Sequence, residues 1–516
     1  MTSIAWLAAV APLAYLAAAL VPERVLAIRA TSPAAAWLSC GVAGLCLAAA
    51  LSWGAASTPT LGAAGLGLAI RIDALSATLA CLVAFFGLVV VVYSRNYLAG
   101  DPRQPVFIRQ LCLTLGLLQG LVLSGNLGQL VLCWIAASLC VNRLLLFRAD
   151  RQAAVLAARK RFLFSRFADA ALIIAAAGLW RAAGDGDIAV ILDAGRSAAG
   201  AAWGASAVLL ATAAILSAAQ IPFHGWILEV METPTPVSAL LHAGVVNAGG
   251  FLVLRFGGLI LEHPAALGLL AAVGAVSAVL GSLIMLTQTS VKVTLAYSTI
   301  AQMGFMLLEC GLGAYSVALL HIVAHALYKA HAFLSAGDAA SGEAPAPPRP
   351  ASRLAVLAAP ALVLILAAGL TAAGAGPGQR PGAFLLASVL LLGLSRVVLG
   401  QRRPSPALAG LVAASAVMFG AHLGAQALFA RLMGDLAGQA PPPGGGFVAL
   451  AIGVVAAMTA LVCLQLRLPA ASRSPAWARA YVVVAHGFYL NTLANRWVLR
   501  LWPAPPSQSK TTGATA

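Results

Sequence analysis

Apolar residues in this chain come in runs of about twenty, divided by short polar stretches, from one end to the other. A helix of that length crosses the hydrocarbon core of a bilayer. About fifteen spans are predicted, near residues 4–20, 35–54, 74–93, 106–124, 127–147, 162–180, 203–219, 235–258, 266–286, 292–309, 314–337, 354–374, 382–400, 406–429 and 447–466. The loops alternate in charge. The basic ones hold Arg24 and Arg29; Arg95, Arg103 and Arg109; Arg148, Arg151, Arg159, Lys160 and Arg161; Arg349 and Arg353; and Arg402 and Arg403. The loops between them are nearly uncharged or acidic, with Asp185, Asp187, Glu262 and Asp435. Basic loops stay on the cytoplasmic side. The expectation is therefore a multi-pass inner-membrane protein with an odd number of spans, its N-terminus outside and its C-terminus in the cytoplasm. The first twenty residues lack a basic leader and read as a spanning helix rather than a cleaved signal.

Two places interrupt the pattern. From Gln220-Ile221-Pro222 to Pro234-Thr235-Pro236 a span stops, polar groups appear and a new helix starts. Around 321–337 an apolar stretch carries three histidines and a lysine. Broken helices inside a membrane are tolerated only where they are buried or line a wet cavity, and they mark ion or substrate paths in transporters. Weaker linkers are the Pro-rich segments 343–350 and 441–446. After the last span, Trp477, Tyr481, Val484, Phe488, Leu490, Leu493, Trp497 and Leu501 alternate with Arg479, Arg496 and Arg500 over residues 475–502. That pattern predicts an interfacial amphipathic helix on the basic side. A sixteenth span is disfavoured by the three arginines and by Asn491 and Asn495.

Composition narrows the class. Hydrophobic residues make up 61% of the 516 and charged residues 9%, with mean hydropathy +0.94. Soluble domains carry about 25% charged residues, so a water-soluble enzyme and a disordered chain are both excluded. The net charge of +16 follows from basic loops and tail, and no nucleic-acid partner is expected. The eight cysteines form no C-x-x-C pair, and neither a disulfide framework nor a zinc site is expected from them. No phosphate loop or nucleophile elbow is present. A gradient-driven device remains, since a charge crossing the membrane gains about 2.3 kcal/mol per 100 mV.

Ionisable residues inside a bilayer are costly and are functional candidates by default. His224, Glu229, Glu232 and His242 surround the first break. Thr233 or Thr235 could cap a helix there, with Pro234 and Pro236 in its first turn. Glu232 would then be favoured by the helix dipole, so a structural cap and a functional carboxylate are both open for it. His321, His325 and Lys329 recur at i, i+4 and i+8, which places them on one face, with His331 displaced from that row. Imidazole titrates near neutral pH, so the row suits proton hopping. His-x-x-x-His could bind zinc geometrically, but no carboxylate lies between and no third ligand is evident. Lys292 sits at the edge of a span, where a snorkelling lysine is the plain alternative. Arg166 and Asp169, at i and i+3, read as a structural ion pair. Asp73 begins a span and Glu309 lies near the end of another.

Ile221–Phe256 contains a broken helix followed by P-T-P-V-S-A-L-x-H, and with Ser290–Met306 and Ala324–Gly337 it resembles the antiporter-like membrane subunits of respiratory complex I and of multisubunit cation/proton (Mrp) antiporters. Finer motifs resemble the DabB branch, the membrane subunits of DAB inorganic-carbon accumulation complexes. These are Pro222-Phe223-His224-Gly225-Trp226, Met231-Glu232-Thr233-Pro234-Thr235-Pro236, His242-Ala243-Gly244 with Asn247-Ala248-Gly249-Gly250, Tyr93-Ser94-Arg95-Asn96-Tyr97 with Asp101-Pro102-Arg103-Gln104, and Asn142–Phe147. The resemblance spans roughly residues 70–340.

It implies an all-α polytopic membrane protein of 14–15 transmembrane helices, with inverted repeats and broken helices. The expected divisions are N-terminal helices at 1–105, a first antiporter-like repeat at 106–258, a second at 266–400, C-terminal helices at 401–470, and an amphipathic helix with tail at 471–516. Three positions depart from the complex I pattern. The glutamate after the fifth-helix tryptophan is Ile135, the lysine five residues before the broken-helix proline is Ser217, and residues 354–466 hold no lysine and no acid but Asp435. The ion path is then expected to rest on His242, Lys292, His321, His325 and Lys329. His224, Glu229 and Glu232 are expected where ions enter or a partner couples. The resemblance further implies that H+ or Na+ moves down its gradient to drive CO2 hydration and bicarbonate accumulation. The catalyst would be a large, zinc-containing, carbonic-anhydrase-like DabA-type partner, so this chain would be no enzyme and hold no cofactor. A proton-translocating or cation/proton antiporter subunit of an NADH-quinone oxidoreductase-like complex is the alternative. A third is a membrane anchor that moves no ion, which the histidine–lysine row opposes.

Overall fold

The computed structural model describes residues 2–22, 25–195, 200–337, 352–399, 406–434, 444–471 and 475–503. Arg24, Arg349, Arg402, Arg403, Asp435, the 343–350 linker and the first half of the 441–446 linker lie outside them, as do the side chains of Glu232 and Arg353. Among the described residues thirteen helices are long and apolar enough to cross a membrane. Two shorter apolar helices, Ala201–Ser217 and Val356–Ala372, stand where the remaining spans were expected. The chain is a helical, multi-pass membrane protein.

Contacts between loops sort them into two ends. At one end, a hairpin between the second and third spans meets the turns at 124–126 and 185–187. This hairpin is the one part of the described fold that the apolar runs did not predict. Ala56–Ser57 pairs with Arg71–Ile72, and Leu61–Ala63 pairs with Leu66–Leu68. Its turn places both Ala64 (φ 52°) and Gly65 (φ 74°) in the left-handed region, as a two-residue I′ turn requires. Asn126 fixes it, donating to Gly65 O at 2.9 Å and accepting from the Gly67 amide at 3.2 Å. At the other end, Arg103 donates to Phe147 O and Arg148 pairs with Asp101, so two basic loops lie side by side.

One basic stretch is placed differently from expectation. The helix Gln152–Ala183 starts ten residues before the expected span at 162, so Lys160 and Arg161 belong to it rather than to a loop. Both are buried. The broken helix runs Ala201–Ser217, then Gly225–Glu229, Thr235–Leu240, a π turn at Leu241–Val245, and Asn247–Arg255. Its last residue is pinned. Arg255 bonds Asp73, which N-caps the helix Ala74–Tyr97 in a reciprocal capping box with Ser76. Burial opposes ionisation of Asp73, but Arg255 and Arg71 outweigh it and hold the carboxyl below the usual carboxylate range.

The helices Pro264–Met285 and Val291–Gly311 pack backbone to backbone. A Cβ at Gly274 would stand 2.5 Å from the Leu308 nitrogen and 2.6 Å from Gly304 O, and one at Gly311 would stand 2.5 Å from the Ala271 nitrogen. Small residues allow such approach in membranes, where lipid tails supply no hydrophobic drive between helices. Gly274→Val should therefore push the pair apart and cost ~1–3 kcal/mol. The check is a lowered midpoint in thermal unfolding of the detergent-purified chain, with Gly268→Val, where a Cβ meets nothing within 4 Å, as the silent control.

Candidate functional site

The helix Val291–Gly311 is the spine of the site. Its polar side chains and one carbonyl meet the titratable groups of the broken helix and of the histidine helix, Tyr315–Leu334. On the histidine helix, His321 contacts the buried Glu309 carboxylate through Nδ1 at 3.1 Å and Gln302 Oε1 through Nε2 at 2.8 Å. The His325 ring lies one turn on, 6.3 Å from that of His321. Lys329 is fully buried and donates to Leu295 O at 2.9 Å. The i, i+4, i+8 row therefore stays together in the interior, and His331, off that row, is exposed.

His242 joins it from the broken helix. The π turn, closed by Val246 N–H to Leu241 O at 3.1 Å, carries His242, and π turns concentrate at functional sites. Its Nδ1 is 3.0 Å from Thr299 Oγ1, and its ring stacks on Phe333 of the histidine helix at 4.3 Å. Nε2 of both His242 and His325 is buried without a hydrogen-bond partner among the described residues. Such nitrogens suit groups that pass a proton on instead of holding it in a static bond.

Two expectations need correction. Lys292 does not reach the row. It stands half-buried in the first turn of its helix, and no hydrogen bond or ion pair among the described residues involves it. Neither threonine caps the restarted helix. Thr233 Oγ1 instead donates to Val230 O at 2.7 Å, closing the turn before it, and Pro234 stands at the N-cap. His224 and Glu229, expected where ions enter or a partner couples, both lie against other parts of the chain. His224 is completely buried against Tyr297.

Glu229 is engaged inside the protein. It forms an ion pair with Lys160 at 2.5 Å, and side chains of the helix Leu490–Leu501 cover both. Asn491 and Asn495 accept from Lys160 at 2.8 and 2.6 Å and donate to Glu229 at 3.3 and 3.1 Å. Lys160 also donates to Gly225 O at 3.2 Å in the break. The amphipathic segment is two helices, Pro475–Ala485 and Leu490–Leu501, bent where Phe488 and Tyr489 take positive φ. Asn491, Asn495 and the buried Val498 face the bundle, whereas Leu493, Trp497 and Leu501 are exposed. Arg159 bonds Trp502 O, and Tyr481 bonds Thr287 O, which ties the strap down at both ends.

Arg166 and Asp169 do pair, at 2.6 Å, and Trp134 donates to Asp169 at 3.0 Å. Sequence reasoning passed over Glu309 as a member of the row, and also Gln302, Thr299 and His422. His422, on the helix Pro406–Met433, lies within electrostatic reach of Glu309 and His321 and is 3.0 Å from Gln426. Spacing along the spine was the available signal, since Leu295, Thr299, Gln302 and Glu309 recur at helical intervals. Among the described residues no group of three His, Cys, Asp or Glu side chains is arranged to hold a metal ion.

The profile of the family described as "NADH:quinone oxidoreductase/Mrp antiporter, TM" matches residues 124–398, more than half of the chain. That of "NADH-Ubiquinone oxidoreductase (complex I), chain 5 N-terminus" matches 60–108. Among curated proteins, the chain is 45% identical over 315 residues to "Probable inorganic carbon transporter subunit DabB2" of Halothiobacillus neapolitanus. It is 44% identical over 272 residues to "Probable inorganic carbon transporter subunit DabB" of Hydrogenovibrio crunogenus. These alignments cover 58% and 52% of this chain and 57% and 52% of the relatives, so the chain matches about half the length of each. Among solved structures, one from the Mrp complex of Dietzia sp. superposes with TM-score 0.58 at 25% identity, covering 96% of this chain and 57% of that one.

If the Lys160–Glu229 pair holds the break and the strap together, Glu229→Leu strands a buried ammonium and should cost ~3–5 kcal/mol. Lys160→Met combined with Glu229→Leu should recover part of that loss. Thermal unfolding of the two single variants and the double variant measures the coupling, and simple additivity would refute it.

Proposed function

Because the chain belongs to the NADH:quinone oxidoreductase/Mrp antiporter transmembrane family, we propose that it is the membrane subunit of an energy-coupled inorganic-carbon transporter and conducts an ion along its buried row. The observation that carries this reading is the cluster of Glu309, His321, His325, His242 and Lys329 inside the region the family profile matches. The row is built mostly of nitrogen bases, which carry protons. Hard cations prefer oxygen ligands, of which the row offers only Glu309, Gln302 and Thr299. The coupling ion is therefore H+ in this reading, with Na+ as the variant.

The two DabB-type relatives, at 45% and 44% identity, support the inorganic-carbon assignment. So does the pair Ile135 and Ser217, which removes the carboxylate–lysine switch that the respiratory alternative needs. The reaction would take place on a large, zinc-containing, carbonic-anhydrase-like partner, and this chain would supply proton flow rather than catalysis. The chain would sit in the inner membrane with the basic loops and the strap on the cytoplasmic side, following the positive-inside rule.

Two measurements test this. Mild-detergent purification of the tagged chain with its native neighbours should yield a stoichiometric large zinc protein. Recovery of quinone-reducing or iron–sulfur subunits without zinc would overturn the reading in favour of the respiratory one. In cells, His325→Ala should lower inorganic-carbon uptake at least about tenfold, as expected for loss of a proton-transfer group. Full uptake with His325→Ala would reduce the chain to a membrane anchor.

A further inference from the structure

Beside the broken helix lies a cavity of about 40 Å³ that the proton row does not use. On the scale where one water-sized sphere takes ~10–15 Å³, it has room for about three. Trp134 and Ser138 line it from one helix, Arg161 and Ser165 from a second, Ser217 from the end of Ala201–Ser217, and Trp226 from the break. Ser217 stands where the resemblance expected a lysine, and Ile135 follows Trp134 where it expected a glutamate.

The charge of this cavity is unbalanced. Arg161 is 95% buried (5% exposed) and forms no ion pair among the described residues. One nitrogen, Nη1, donates to Ser138 O at 2.9 Å, and Nε has no hydrogen-bond partner among the described residues. The Trp226 ring covers the guanidinium, its centroid 5.4 Å from Cζ. Asp169, paired with Arg166, is also within electrostatic reach of Arg161, so two guanidiniums share one carboxylate, while Lys160 pairs with Glu229. A guanidinium stays ionised, so it cannot act as a proton switch. Left uncompensated in the interior it is costly.

We propose that this cavity binds a small, singly charged, planar oxyanion of the size of bicarbonate. The guanidinium fork matches a planar oxyanion edge to edge. The hydroxyls of Ser138, Ser165 and Ser217 supply further donors. The room for about three waters is close to the size of a four-atom oxyanion. Anion binding rests on the geometry of the cavity alone. Naming bicarbonate as the natural occupant rests on the inorganic-carbon reading above.

Trp134 and Trp226 in the wall make the site readable. The full chain, purified in lipid nanodiscs at fixed pH and ionic strength, is titrated with bicarbonate, nitrate, formate and chloride while tryptophan fluorescence is recorded. The expected result is a saturable change with the three planar oxyanions. Arg161→Gln should weaken it at least tenfold. Ser217→Leu, which fills the cavity from the opposite wall and leaves Arg161 intact, should abolish it in a chain that still runs as a single species on gel filtration. No saturable response, a response to chloride alone, or one undiminished in both variants overturns the proposal. Oxyanion binding without a zinc partner or carbon uptake would retain the site and sink only the transport reading.

Discussion

A backbone that leaves the helix inside a bundle of spanning segments must find its hydrogen-bond partners within the protein. Much of the architecture follows from that constraint at residues 218–246. The Ile221 amide donates to Ser277 Oγ at 3.1 Å, reaching across to the helix Pro264–Met285. Gln220 turns back onto Ala218 O, and Ser238 and Thr233 both donate to Val230 O. Gly225 O takes the Lys160 ammonium. That bond buries a charge, which requires Glu229, and Asn491 and Asn495 bridge the two, accepting from the ammonium and donating to Glu229 Oε1. The C-terminal strap thus completes a chain of requirements that begins with one broken helix.

The second half of the break has its own consequence. The π turn widens the helix by one residue at Leu241–Val245. His242 there meets both Thr299 and Phe333, and so joins two neighbouring helices. The spine then connects everything on its far side. Leu295 O holds Lys329, Tyr297 lies against His224, Thr299 meets His242, and Gln302 and Glu309 hold His321 from two directions. The close glycine packing behind the spine allows little sideways movement. That keeps the separations in the row short, and a proton-transfer path depends on them.

The parts that were legible in the sequence are those with a strong period or a costly residue. Runs of twenty apolar residues located every described span, and the i, i+4, i+8 spacing brought out His321, His325 and Lys329. The hairpin at 56–72 was missed because its strands are two or three residues long, too short for alternation to register. Lys160 was assigned to a basic loop because its neighbours Arg159 and Arg161 made it look like part of a charged run. Only tertiary structure shows that it faces Glu229, 69 positions further along the chain. The strap's orientation was unreadable for a similar reason. Its apolar residues predicted the face that meets bilayer or bundle, but two asparagines took the bundle side because a buried ion pair awaited them.

Those placements also bear on the missing carboxylate–lysine switch. The chain has a buried lysine–carboxylate pair, but at the basic end of the break, and four hydrogen bonds from two asparagines hold it. Bridged by the strap on both sides, the pair serves as a fastening better than as a moving part, and only Glu229 Oε2 is left without a partner among the described residues. Ile135 and Ser217 stand at the usual positions, and the cavity wall beside Ser217 carries Arg161, whose charge is fixed. Of the buried histidines with unpartnered nitrogens, His224 lies in the break against Tyr297, while His242 and His325 lie between the spine and the histidine helix. The broken helix, with His224 and Glu229 before its restart and His242 after it, is thus the element in contact with both the fixed pair and the row.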